Sequence, residues 1–114
     1  MPFINSKVTV KMDDSKKETV KKELGNLISI LPGKSESWLM VGFEDNYTLY
    51  FKGEKKEKAA FVEVKIFGNA EKACKNNLTS QICSLFEKEL GIPKDSIYVT
   101  IEEIDTWGWN GSLF

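Results

Sequence analysis

Histidine is absent from this chain of 114 residues. That absence removes Ser-His and Cys-His nucleophile pairs and every metal site with an imidazole ligand. Catalysis would have to use carboxylates, lysines, tyrosines, a cysteine or a chain terminus, and neither a metal nor another cofactor is expected. Cysteine is scarce, with only Cys74 and Cys83. Both fall in one helical pattern, where nine residues separate their Cα atoms by roughly 13 Å, beyond disulfide reach. They read as reduced thiols, with Cys83 beside Ile82 as a small core residue, and this suits folding in a reducing, intracellular setting. No apolar run approaches the length of a membrane span, and no signal-peptide pattern opens the chain. Charge of one sign is lacking too, since 16 basic and 17 acidic side chains leave a formal net charge of −1. Neither nucleic acid nor an anionic membrane gains an electrostatic handle from that balance. The length fits one domain, residues 1–114, with a modest core.

Proline is also rare, and its three positions are informative. Pro32 and Pro93 stand where helical patterns end. Pro2 differs, because trimming of Met1 would leave a rigid secondary amine at the terminus. Taking such an amine out of water disfavours its charged form, so it could accept a proton from a carbon acid near neutral pH. The same proline also suits the start of an edge strand, where a missing N–H does little harm.

The remaining pattern is one unit written twice. Phe3 to Val10 suits a strand. Ser15 and Glu18 have capping-box spacing ahead of a helical stripe of Val20, Leu24, Leu27, Ile28 and Leu31. Gly25 weakens that helix by about 1 kcal/mol relative to alanine, so tertiary packing must hold it. Pro32-Gly33 ends it, Ser37 to Phe43 reads as a strand, and Tyr47 to Phe51 reads as a short edge strand before a lysine-rich loop. The unit then restarts: a strand from Ala59 to Phe67, a helix entered near Asn76 or Asn77 with a stripe of Leu78, Ile82, Leu85, Phe86 and Leu90, a stop at Gly91-Ile92-Pro93, and a strand from Ser96 to Ile101. The strands correspond at an offset of 59, which sets Pro2 against Phe61, and the helices at 58. The halves are about 2–58 and 59–114. The fold class is therefore α+β, with two pseudo-symmetric β-α-β units forming a four-stranded sheet, two helices on one face and short edge strands. Apolar residues pointing both ways from Leu39, Met40 and Val41 call for a cover on the second face, and self-association sheet to sheet is the economical one. The aromatic tail, with Trp107, Trp109 and Phe114, reads as docked on its own chain or a neighbour, to seal an oligomer, to line a pocket, or both.

Pro2 after Met1, Pro32-Gly33-Lys34, Lys65-Ile66-Phe67-Gly68, Asp95-Ser96-Ile97-Tyr98-Val99 and Gly108-Trp109-Asn110-Gly111-Ser112-Leu113-Phe114 together resemble the macrophage migration inhibitory factor family of the tautomerase superfamily. The resemblance runs over essentially the whole length, with order and spacing in register. It implies a homotrimer of paired β-α-β units with sites between subunits. It implies a keto–enol tautomerase of the phenylpyruvate tautomerase or L-dopachrome isomerase type, acting on a small aromatic α-keto acid.

Carried over by residue, the resemblance makes Pro2 the catalytic base and Lys34 the binder of the substrate carboxylate. Ile66 would offer its backbone N–H, and Tyr98 would reach the pocket from the neighbouring subunit. Trp38, Trp109 and Phe114 would form the aromatic rim. Trp107 has no counterpart and reads as packing. Lys34 also suits a solvated surface, and Tyr98 an ordinary strand. Thr100 stands where the family often has asparagine, so its shorter side chain alters what it can reach. Lys58-Ala59-Ala60-Phe61 stands where a Cys-x-x-Cys pair occurs in the family, which excludes the oxidoreductase chemistry tied to that pair. The resemblance places the protein in the cytoplasm, with secretion independent of a signal peptide. Its alternative reading is a secreted cytokine-like factor that binds a cell-surface receptor, with an incidental tautomerase pocket.

Overall fold

Burial alternates with period two along the strand β1 (Pro2–Val8), where Pro2, Ile4, Ser6 and Val8 are buried and the residues between them are not. The structure is a computed structural model describing residues 1–114. Chain order continues with α1 (Asp14–Leu27), β2 (Met40–Glu44), β3 (Tyr50–Phe51), β4 (Glu54–Lys55) and β5 (Ala60–Phe67). It ends with α2 (Lys72–Leu90), β6 (Ile97–Ile104), β7 (Gly108–Trp109) and β8 (Ser112–Leu113).

The main sheet has the order β2-β1-β5-β6, with β1 parallel to β2, β5 parallel to β6, and β1 antiparallel to β5. This is the α+β arrangement of two β-α-β units expected above. Apolar residues from α1 and α2 (Val20, Leu24, Leu78, Ile82, Phe86) and Ile28, in the 3₁₀ turn just after α1, join Ile4, Val8, Val62, Val64 and Ile66 in one core. No helix is long and apolar enough to cross a membrane.

The repeat is tighter than the strands suggest in sequence. Phe3 faces Met40 and Phe61 faces Tyr98, and the buried set is even-numbered on both inner strands. Pro2 is thus equivalent to Ala60 rather than Phe61, because a shift of one residue would send every side chain to the opposite face. Helix starts also differ. Asp13, not Ser15, caps α1, its Oδ1 accepting from the Lys16 N–H at 2.8 Å. Helix α2 begins at Lys72, ahead of Asn76 and Asn77, which lie exposed within it. Residues 36–38 form a 3₁₀ turn before β2, and of the run from Tyr47 only Tyr50–Phe51 pairs as strand.

The uncovered sheet face is mixed rather than apolar. Asn5 donates to Glu44 at 2.8 Å, and Lys7 pairs with Glu63 at 2.8 Å across its middle. Phe3, Met40 and Phe67 cluster toward one end of that face, and Phe61 and Tyr98 toward the other.

Candidate functional site

Proline at the first position of a strand loses no ladder bond, since it has no N–H to give. Pro2 is buried opposite Ile66, and the carbonyl of Met1 accepts from the Phe67 N–H at 3.0 Å. That bond identifies Pro2 and Ile66 as a pair without mutual hydrogen bonds. Successive N–H groups on a central strand point to opposite neighbours, so Ile66 turns its N–H toward β6 and away from Pro2. The donor on the Pro2 side belongs to Phe67. The backbone N–H that faces Pro2 is thus that of Phe67, held by the Met1 carbonyl, and not that of Ile66.

Lys34 arrives through the turn at Gly33, whose φ of 80° suits glycine. Its Nζ donates to the Phe67 carbonyl at 2.6 Å. Burial, and after it the nearby Lys34 ammonium, hold the Met1 amine below its ordinary value. This end of the sheet therefore disfavours a positive charge on a terminal amine.

The tail closes the site as a hairpin. Asn110 and Gly111 have φ of 52° and 87°, and β7 pairs with β8 around them. Positive φ at both central positions is the two-residue turn that Asn-Gly favours. The hairpin sets the Trp109 ring edge-on to Trp38 with centroids 5.0 Å apart. Phe114 stacks toward Trp109 at 6.5 Å and lies 5.3 Å from Phe67. Its N–H is tied to the Trp107 carbonyl at 3.1 Å. A cleft of about 730 Å³ opens here, its lining including Pro2, Phe3, Trp38, Lys65, Trp107 and Trp109.

Of the expected residues, Pro2, Trp38 and Trp109 line this cleft; Lys34, Ile66 and Phe114 do not, Ile66 pairing with Pro2, Phe114 stacking toward Trp109 and Lys34 bonding the Phe67 carbonyl. Tyr98 and Thr100 are elsewhere. Tyr98 packs edge-on against Phe51 at 5.2 Å and Phe61 at 6.2 Å. Along β5, Phe61 lies five residues from Ile66, roughly 17 Å of strand. Thr100 is exposed opposite Glu63. Trp107, read from sequence as packing, is part of the cleft wall. Phe3 and Lys65 were overlooked. Period-two alternation was the signal that could have found them, because it places both on the face onto which the cleft opens.

No three Cys, Asp or Glu side chains cluster in a way that could hold a metal ion. What the cleft offers is an apolar, indole-rich wall, a shielded chain start and Lys65, with Lys34 and the Phe67 N–H, bonded to the Met1 carbonyl, beside that chain start.

Comparison with known proteins agrees with this architecture. The model of the macrophage migration inhibitory factor (MIF) family matches residues 1–114. The crystal structure of Leishmania major MIF2 superimposes with a TM-score of 0.92 at 32% identity, covering 100% of this chain and 97% of that one. A macrophage migration inhibitory factor homologue from Prochlorococcus marinus gives a TM-score of 0.81 at 30% identity, with 98% of each chain covered. The MIF-like protein of Entamoeba histolytica shares the fold at 23% identity and a TM-score of 0.86, covering 99% of this chain and 98% of that one. No curated protein matches the sequence.

Proposed function

Because the chain belongs to the macrophage migration inhibitory factor family, we propose that it is a keto–enol tautomerase whose proton carrier is the amine of Pro2, freed by removal of Met1. The observation that carries this reading is the position of Pro2, buried at an indole-walled cleft where burial already depresses the amine of the preceding residue. With Met1 attached, the Pro2 nitrogen is an amide and has no basicity. Without it, the nitrogen is a secondary amine, and the Phe67 N–H loses the Met1 carbonyl as its partner.

A small aromatic α-keto acid supplies the rest. Its ring lies among Trp38, Trp109 and Phe114. Its carboxylate takes charge-assisted hydrogen bonds from Lys34 and the Phe67 N–H. The neutral Pro2 nitrogen removes the proton alpha to the carbonyl, and the C–H electron pair moves into the enol with charge developing on oxygen. The protonated Pro2 then returns that proton, to oxygen in forming the enol or to carbon in the reverse direction. One group can do both only if its conjugate acid has a pKa near neutral, so the apolar wall is part of the chemistry. In a homotrimer, Tyr98 and Thr100 reach the cleft from the adjacent copy.

Ultraviolet absorbance of the phenylpyruvate enol tests this reading, with intact mass establishing removal of Met1. Inserting alanine between Met1 and Pro2 turns the Pro2 nitrogen into an amide and lowers turnover by about 10²- to 10⁴-fold, the usual worth of a positioned base. Activity needs the neutral amine, so kcat/KM falls as pH drops through its pKa. Because burial lowers that pKa, the plateau reaches down toward neutrality instead of ending in the alkaline range. Full turnover with the inserted alanine sinks the assignment of Pro2.

A further inference from the structure

Lys65 is the one charged side chain lining the Pro2 cleft. Its position on β5 is opposite Phe3 on one side and Glu102 on the other, on the uncovered face of the sheet. Its neighbours on that face are matched, Lys7 with Glu63 and Asn5 with Glu44. Lys65 makes no ion pair, even with the adjacent exposed Glu102. With no carboxylate paired to it in the cleft lining, its ammonium is free to take an anion entering the cleft. Lys34 differs in place and in partner. Its Nζ is at the Phe67 carbonyl, two residues beyond Lys65 on β5, roughly 7 Å further along the strand. Two cationic groups thus stand at separate points along β5, Lys65 among the mostly apolar residues that line the cleft and Lys34 at the Phe67 carbonyl.

We propose that Lys65 forms a second anion subsite and that the cleft selects α-keto acids bearing a second carboxylate across an aromatic spacer. Lys34 holds the carboxylate next to the keto group, and Lys65 holds the remote one. This rests on Pro2 being the base for keto acids, but the subsite itself can be tested without turnover.

The binding arm titrates Met1-free protein with terephthalate and with benzoate, read by quenching of tryptophan fluorescence. Terephthalate is expected to bind about tenfold more tightly, since a charge-assisted bond is added. Lys65→Met removes that preference, Lys65→Arg keeps it, and added salt weakens it. The turnover arm compares 4-carboxyphenylpyruvate with phenylpyruvate. There Lys65→Met lowers kcat/KM for the diacid about tenfold more than for the monoacid. Equal affinity of the wild type for the two acids overturns the proposal. So does a Lys65→Met variant that retains the preference, or one that changes oligomeric state on gel filtration, which would assign the ammonium to a subunit contact. A terephthalate preference that depends on Lys65, found together with no turnover of either keto acid, supports the subsite and rejects the tautomerase reading alone.

Discussion

Ser6 sits in the middle of β1, fully buried under the helices, and its Oγ has no hydrogen-bond partner. An unpaired hydroxyl in an apolar core costs about 1–3 kcal/mol relative to a satisfied or absent one. Ser6→Ala removes it and leaves little empty volume, so unfolding in urea should become harder by about 1 kcal/mol. A lower midpoint would show that the hydroxyl is bonded in solution. At this same scale the sequence is readable for residue type but not for register. Pro2 is legible because proline chemistry is visible in the letters and Trp109 because the tail is rich in aromatics, whereas Trp38 enters only through the family resemblance. The family resemblance points to the Ile66 N–H, whereas the N–H that faces Pro2 is that of Phe67, because which N–H faces which neighbour depends on the pairing of β1 with β5. No side-chain pattern reports that pairing to the residue.

Helix α1 illustrates the element scale. Gly25, an unfavourable residue in a helix interior, is buried, and a Cβ built there would collide with the Glu36 carboxylate. Glu36 opens the 3₁₀ turn that ends at Trp38, one wall of the cleft. The glycine thus leaves room for the Glu36 side chain against the helix. Alanine should add about 1 kcal/mol of helix propensity, yet in Gly25→Ala alone the displaced Glu36 offsets it. In the Glu36→Ala background the full gain should appear, a coupling of about 0.5 kcal/mol or more in a double-mutant cycle. Additive effects would mean that the glutamate side chain swings away at no cost. The helix and its apolar stripe were legible from periodicity, and so was the need for packing at Gly25. Its partner was not, because Glu36 is brought there by a turn with no periodic signature. Capping was misread for a related reason, since Asp13 offers an equivalent oxygen two residues before Ser15 and only the backbone decides between them.

For the whole molecule, the distance between the two ends of the sheet sets the argument. Pro2 is paired at Ile66 and Tyr98 at Phe61, too far apart along the strand for both to contact one small acid in a single copy. Tyr98 is 59% exposed and Met40 68%, so large apolar side chains are left open at both ends. If Tyr98 serves the cleft, it serves a neighbour's, and a closed ring of copies satisfies every such contact. Complementation follows from this. A copy with alanine inserted before Pro2 lacks the base, and a Tyr98→Ala copy lacks the reaching ring, so each assembly alone should be impaired. In a ring refolded from equal amounts of both, about one interface in four joins an intact Pro2 to an intact Tyr98. Turnover of phenylpyruvate by the mixture should therefore recover to about a quarter of the wild-type rate above the two parents. A Tyr98→Ala variant with full activity would remove the ring from the site. Two impaired parents that co-assemble, shown by mass, without any recovery would mean that the base and the tyrosine do not meet across an interface.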